Sequence, residues 1–206
     1  MEEFADNVVR WYERERRNFP WRNIQDPYRV LLTEILLIRT NAHEVEKIWH
    51  DFFEKYPDIE TLSSASESEI ADSIASLGLA WRAETIVALA AQLEQIGEIP
   101  NNDSIFELPG VGDYVGNAVL CFAYGQKRPV IDSNVQLVLG ELFNPEYTDK
   151  EPYSSMVENK VLDLMPEGRV QEFYFGLIDL GEKFRQASYS ELQKIKGELL
   201  EGCEEW

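Results

Sequence analysis

The chain has 206 residues, enough for one large domain or two small lobes, and the 44% that are hydrophobic are spread along it, so a core can be buried without covalent staples. Its two cysteines, Cys121 and Cys203, follow no metal-ligand spacing, which leaves neither a disulfide scaffold nor a zinc site. A net charge of −19, from 38 acidic against 19 basic residues, is the reverse of the basic footprint of a nucleic-acid binder.

The opening Met1-Glu2-Glu3-Phe4-Ala5-Asp6 lacks the basic and apolar parts of a signal peptide, and no apolar run is long enough for a bilayer. A cytoplasmic protein with no membrane partner is expected. Residues 2–17 read as a helix with Phe4, Val8, Trp11 and Tyr12 on one stripe. Arg10, Arg14, Arg16 and Arg17 make it the most basic stretch, either a solvated face or one turned to phosphates. After the break at Phe19-Pro20-Trp21-Arg22, Asp26-Pro27 supplies an N-cap and a first helical residue. Leu31, Leu32, Ile35 and Leu36 bury the next helix, and Glu34 lies inside this apolar run. A carboxylate there is either paired with an arginine or has its pKa raised by burial, as a general acid needs.

Residues 43–55 read as an amphipathic helix carrying His43 and His50 on its surface, ended by Pro57. Ser66 and Glu69 form a capping box for a short helix, and Gly78 to Arg82 turn into a helix over 81–95. This middle block shows no obvious chemistry. Leu108-Pro109-Gly110-Val111-Gly112 then reads as a tight turn joining two helices, with the glycines supplying φ > 0 or close backbone approach. The helix that follows has unpaired N–H groups at the positive end of its dipole, able to hold a phosphate oxygen. A packing turn is the plainer alternative. Asp132 follows the apolar pair Val130-Ile131 and starts a helix over 133–143, so it is at least an N-cap. Thr148 and Glu151 cap a further helix to about Met165, Val170–Lys183 form another, and Ser188 with Glu191 caps a last one.

The Leu-Pro-Gly-Val-Gly turn, its helix and Asp132 together resemble the helix–hairpin–helix (HhH-GPD) DNA glycosylase superfamily. Pro20-Trp21-Arg22, Asp26-Pro27-Tyr28 and Thr33-Glu34-Ile35-Leu36-Leu37-Ile38-Arg39-Thr40 are similar to the opening helices of the adenine and mismatch-thymine enzymes. Gly176-Leu-Ile-Asp-Leu-Gly181 resembles the segment before the family's iron–sulfur loop. The resemblance covers about residues 4–182. It implies an all-α, two-lobed fold with the active site in the cleft between lobes. One lobe would hold residues 22–130 with the hairpin at 105–123, the other residues 1–21 and 131–206.

By the same resemblance, Asp132 stabilises the cationic sugar and Glu34 protonates the departing base or orients a water. Asn134 helps to arrange the site. Leu108, Gly110, Val111 and Gly112 hold a phosphate beside the flipped nucleotide. Ile38 and Arg39 stand where relatives usually have two polar residues that probe the duplex. Arg39 suits the widowed base, and Ile38 suits an apolar wedge. Tyr114 occupies the place of the lysine with which bifunctional relatives form an imine, and a phenol cannot do so. Tyrosine there, with Glu34, favours thymine or uracil opposite guanine. Asp113 is a counter-signal, an acid beside the expected phosphate. At the four cluster-cysteine positions stand Arg185, Leu192, Ile195 and Glu201, so no cofactor or metal is expected.

The expectation is a monomeric, monofunctional DNA glycosylase acting on double-stranded DNA with a mispaired or damaged base. An adenine glycosylase for A:G pairs is the nearer alternative. A catalytically silent DNA- or protein-binding module is the farther one, favoured by the acidic charge. That charge fits a salt-rich cytoplasm, basic residues gathered on one face, or loss of DNA binding.

Overall fold

The structure is a computed structural model that describes residues 2–79, 81–143 and 155–203. Among these residues there are helices and no strands. The chain divides into two compact units, Met1–Asn18 with Gly125–Trp206, and Phe19–Tyr124.

In the unit Phe19–Tyr124, α2 (Pro27–Leu37) starts where Asp26 accepts from the Arg29 amide, with proline in the first turn. Eight of its eleven residues are buried, so it is wrapped by its neighbours rather than amphipathic. It packs against α3 (Ala42–Lys55) and α7 (Asp113–Phe122). Trp49 of α3 donates to Thr33 at 2.8 Å and lies among Trp21 and Phe53, fixing α3 over α2. α4 (Ile59–Ser63) and α5 (Glu67–Ser73) pack on α6 (Trp81–Ile96). The Ser66–Glu69 capping box is present in full. α4 and two 3-10 turns, Ala75–Leu77 and Asp103–Glu107, are additions to the elements expected from the sequence. Each is too short to leave a periodic pattern.

In the other unit, α1 (Glu2–Glu15) lies against α9 (Ser155–Leu164), α10 (Val170–Gln186) and α11 (Tyr189–Leu200). Phe4 meets Phe143 edge-on at 5.0 Å, and the buried Asn7 donates to the carbonyls of Leu199 and Glu201. α10 also packs on α8 (Ser133–Phe143). The basic residues of α1 and of the segment just after it are largely engaged within the protein. Arg17 grips the buried Asp179 with its amide, Nε and Nη2, Arg14 pairs with Glu198, and Arg10 bonds Asn7. The Ser188–Glu191 capping box starts α11, which buries Ile195 and Leu199. The expected cap at Thr148 and Glu151 lies outside the described residues.

Candidate active site

The hairpin is a turn with proline second and glycine third. Gly110 has φ +76°, and the Val111 amide closes the turn on the Leu108 carbonyl at 3.1 Å. This is the pattern of a type II turn. A Cβ on Gly110 would also stand 2.3 Å from Cγ2 of Thr85 in α6. Gly112 leaves the positive-φ alternative to Gly110. It has φ −89° and is the N-cap of α7, with nothing within 4 Å of where a Cβ would stand. Its lack of a side chain leaves the amide end of α7 without a side-chain cap and open to a close-fitting group. Leu108 and Val111 turn their side chains into the unit, so the hairpin presents glycine backbone to solvent. Asp113 is exposed and Tyr114 half-buried in the first turn of α7.

Glu34 is buried on α2, between Thr33 and Ile35. The helix stops at Ile38, where the chain turns sharply into α3. Arg39 is exposed and has φ +54°, one of two non-glycine residues with positive φ among those described. The Thr40 amide donates to the Leu37 carbonyl at 3.0 Å.

In the other unit, Asp132 caps α8. Its Oδ1 accepts from the amides of Asn134 (2.9 Å) and Val135 (2.8 Å), and its Oδ2 accepts from Asn134 Nδ2 at 2.7 Å. Burial pushes the Asp132 carboxyl above its usual range. The Val135 amide, both Asn134 donors and the charge of Arg185 pull the other way. Arg185, on α10, bonds the Asn134 side-chain oxygen and reaches the Ser133 carbonyl at 3.3 Å. The carboxylate is thus fixed on both oxygens by one short segment, which is held in turn by an arginine. Gly181, one turn before Arg185, is the point of contact between α10 and α8. A Cβ there would lie 2.6 Å from the Asn134 Cα and 2.4 Å from its Cβ.

The expected residues therefore fall on both units. Glu34, Ile38, Arg39, Leu108, Gly110, Val111, Gly112 and Tyr114 belong to Phe19–Tyr124, and Asp132 and Asn134 to the other. The N-cap reading of Asp132 holds as structure, and the capping bonds orient its carboxyl group. Arg185, Gly181 and Arg82 escape the sequence analysis as site residues. A signal exists for Arg82, which shares the buried stripe of Ile86, Leu89 and Leu93 on α6. The donors do not fit an iron–sulfur cluster. Cys203 is the one sulfur in the segment from Arg185 onward, its Sγ directed to the Leu199 carbonyl, and no described group of His, Cys, Asp and Glu could hold a metal ion.

Residues 32–167 match the family described as HhH-GPD superfamily base excision DNA repair protein. The chain is 37% identical over 180 residues to a thymine/uracil-DNA glycosylase of Methanothermobacter thermautotrophicus, covering 85% of this chain and 81% of the relative. It is 31% identical over 192 residues to a thymine-DNA glycosylase of Aeropyrum pernix, covering 89% and 86%. A solved structure of a thermostable thymine-DNA glycosylase superposes with a TM-score of 0.81 at 37% identity, over 86% of this chain and 84% of that one. By these matches the chain belongs to the HhH-GPD superfamily of base excision DNA repair proteins.

Proposed function

We propose that this protein is a monofunctional DNA glycosylase that removes thymine or uracil mispaired with guanine. The observation that carries the proposal is the Asp132 carboxylate, fixed on both oxygens at the start of α8 in a chain similar to thymine/uracil-DNA glycosylases over most of its length. The target nucleotide must leave the stack before its C1′ is reached. Gly110 and Gly112 let the hairpin backbone approach a phosphate, a contact that positions without reading sequence. As the N-glycosidic bond lengthens, the base takes its electron pair and the sugar becomes cationic. Ionised Asp132 stabilises that charge. Glu34 delivers a proton to the base or orients the water that adds to C1′, and the products are the free base and an abasic site. Tyr114 cannot form an imine, so the strand stays intact.

Ile38 and Arg39 enter the duplex beside the opposite guanine. No metal or cluster takes part, and α11, buried through Ile195 and Leu199, does the packing that follows α10. The protein works as a cytoplasmic monomer on double-stranded DNA. No described helix is long and apolar enough to cross a membrane.

The test is a duplex panel carrying T:G, U:G and A:G pairs, read with and without hot alkali and with borohydride. Breaks at T:G and U:G that need alkali, with no borohydride-trapped adduct, are expected. Breaks without alkali would overturn the monofunctional assignment, and release of adenine alone would overturn the substrate.

A further inference from the structure

Arg82 is fully buried in α6, with 0% of its surface exposed. Among the described residues its guanidinium pairs with no carboxylate, and its Nε and Nη1 have no hydrogen-bond partner. The one nitrogen that does bond is Nη2, and both of its contacts are on a single distant turn. It donates to the Ile38 carbonyl at 2.6 Å and to Thr40 Oγ1 at 2.8 Å. Thr40 Oγ1 in turn donates to the Ile38 carbonyl at 3.2 Å, so the three groups close a triangle around Arg39.

The turn itself has φ −52° and ψ 116° at Ile38, then φ +54° at Arg39. That is a type II turn with arginine at the third position, where glycine or asparagine is favoured. Two unfavourable choices therefore coincide. A buried cation without a counter-ion is costly, and an apolar side chain at position 82 would serve the core better. Glycine at position 39 would adopt the turn without strain. Stability alone explains neither. A charge-assisted donor on a carbonyl is, however, a strong and directional tether. It fixes the turn so that a half-buried Ile38 and an exposed Arg39 project from it in one arrangement.

We infer that Arg82 is a positioning residue that locks the Ile38–Arg39–Thr40 turn in the geometry needed to recognise the base left opposite the flipped nucleotide. This rests on the proposed function, in which that turn enters the duplex. Arg82 touches no DNA and acts through the Ile38 carbonyl and the Thr40 hydroxyl.

The experiment compares the wild type, Arg82→Met, Arg82→Lys and Thr40→Val well below their melting temperatures. Dissociation constants are measured for three duplexes: the non-cleavable 2′-fluorouridine opposite guanine, the same nucleotide opposite adenine, and an undamaged control. Hydrogen exchange of residues 38–41 is followed beside that of α10. In Arg82→Met the preference for the guanine-opposed duplex should collapse toward one while binding to the undamaged control is kept, and exchange should rise at 38–41 but not in α10. Arg82→Lys, which keeps one donor, should recover part of the preference. Thr40→Val should lose part of it, and it carries the test if Arg82→Met fails to fold. A purely structural role would lower affinity for all three duplexes together and leave the ratio unchanged, which would overturn the inference. A wild type that prefers guanine with variants that do so equally would overturn the inference alone. A wild type with no preference would overturn both it and the proposed role of the turn.

Discussion

Gly181→Ala places a methyl group where α10 meets the start of α8. The added Cβ would stand 2.4 Å from the Asn134 Cβ, 2.6 Å from its Cα and 2.8 Å from its carbonyl oxygen. Carbon atoms in good contact lie about 3.5–4.0 Å apart, so the helices must separate by about 1 Å. No flexible side-chain tip can give way here, because two of the three neighbours are backbone atoms of the turn that fixes Asp132. Overpacking of this kind reaches about 3 kcal/mol, and the higher helix propensity of alanine offsets about 1 kcal/mol of it. The net loss is about 2 kcal/mol, or a fall in Tm of about 4–8 °C for a chain of this length. Moving the Asp132–Asn134 segment by about 1 Å should also slow base release on the order of a hundredfold. Gly197→Ala is the matched control, since nothing lies within 4 Å of its Cβ position on α11. It should raise Tm by about 2–4 °C through helix propensity and leave the rate unchanged. Thermal unfolding and single-turnover release, measured on both variants, decide the matter. A Gly181→Ala protein that matches Gly197→Ala in Tm and rate would refute the claim that this contact sets the carboxylate.

Three further outcomes are expected. Because burial raises the Asp132 pKa, the folded protein binds this proton more tightly than the unfolded chain, and stability falls as pH rises through the folded pKa. The Tm of Asp132→Asn minus that of the wild type should therefore grow as pH rises above the ordinary carboxylate range and level off once the folded carboxyl has ionised. A flat difference would contradict the burial of the charge. Gly110→Ala should cost about 1–2 kcal/mol of stability from the positive φ, and more from the 2.3 Å contact of its methyl with Thr85 Cγ2, whereas Gly112→Ala should leave Tm unchanged yet weaken DNA binding as its methyl meets the phosphate. Equal melting losses in urea or heat would reverse that assignment. Arg185→Met releases the Asn134 side chain and removes a charge that favours ionised Asp132, so the acidic limb of its rate profile should move to higher pH. An unmoved limb would show that Arg185 acts elsewhere.

What the sequence made legible was chiefly what is decided within a few residues. Asp26-Pro27, Ser66 with Glu69, and Ser188 with Glu191 start helices by bonding their own first turns, and all three do so in the structure. Ser133–Phe143 follows from the spacing of Val135, Val138 and Leu139, and Asp132 as its cap follows from its place before them. The left-handed turn at Arg39 could not be read, because local preference argues against it and the tether that fixes it comes from α6. Arg82 was legible only in its place on the stripe of Ile86, Leu89 and Leu93, which points it inward. Its letter signals a surface, and its bonds to the turn over residues 38–40 come from a distant segment. Gly181 was legible only as the end of the segment before the family's cluster loop, and Arg185 only as a residue standing in place of a cluster cysteine. Their meaning lies in a contact with Asn134 that no periodicity encodes. Of the two reasons for glycine in the hairpin, positive φ applies at Gly110, and Gly112, with φ −89°, keeps only the room for close backbone approach.

In the proposed function, Asp132 carries base removal from a mispair. The most direct measurement is single-turnover release of uracil from a U:G duplex by the wild type and by Asp132→Asn, with binding of each to the same duplex measured in parallel. Alkali-revealed release by the wild type is expected, with loss of release and retained binding in Asp132→Asn. Release by Asp132→Asn at the wild-type rate would contradict it, as would a wild type that binds the duplex and leaves the base in place.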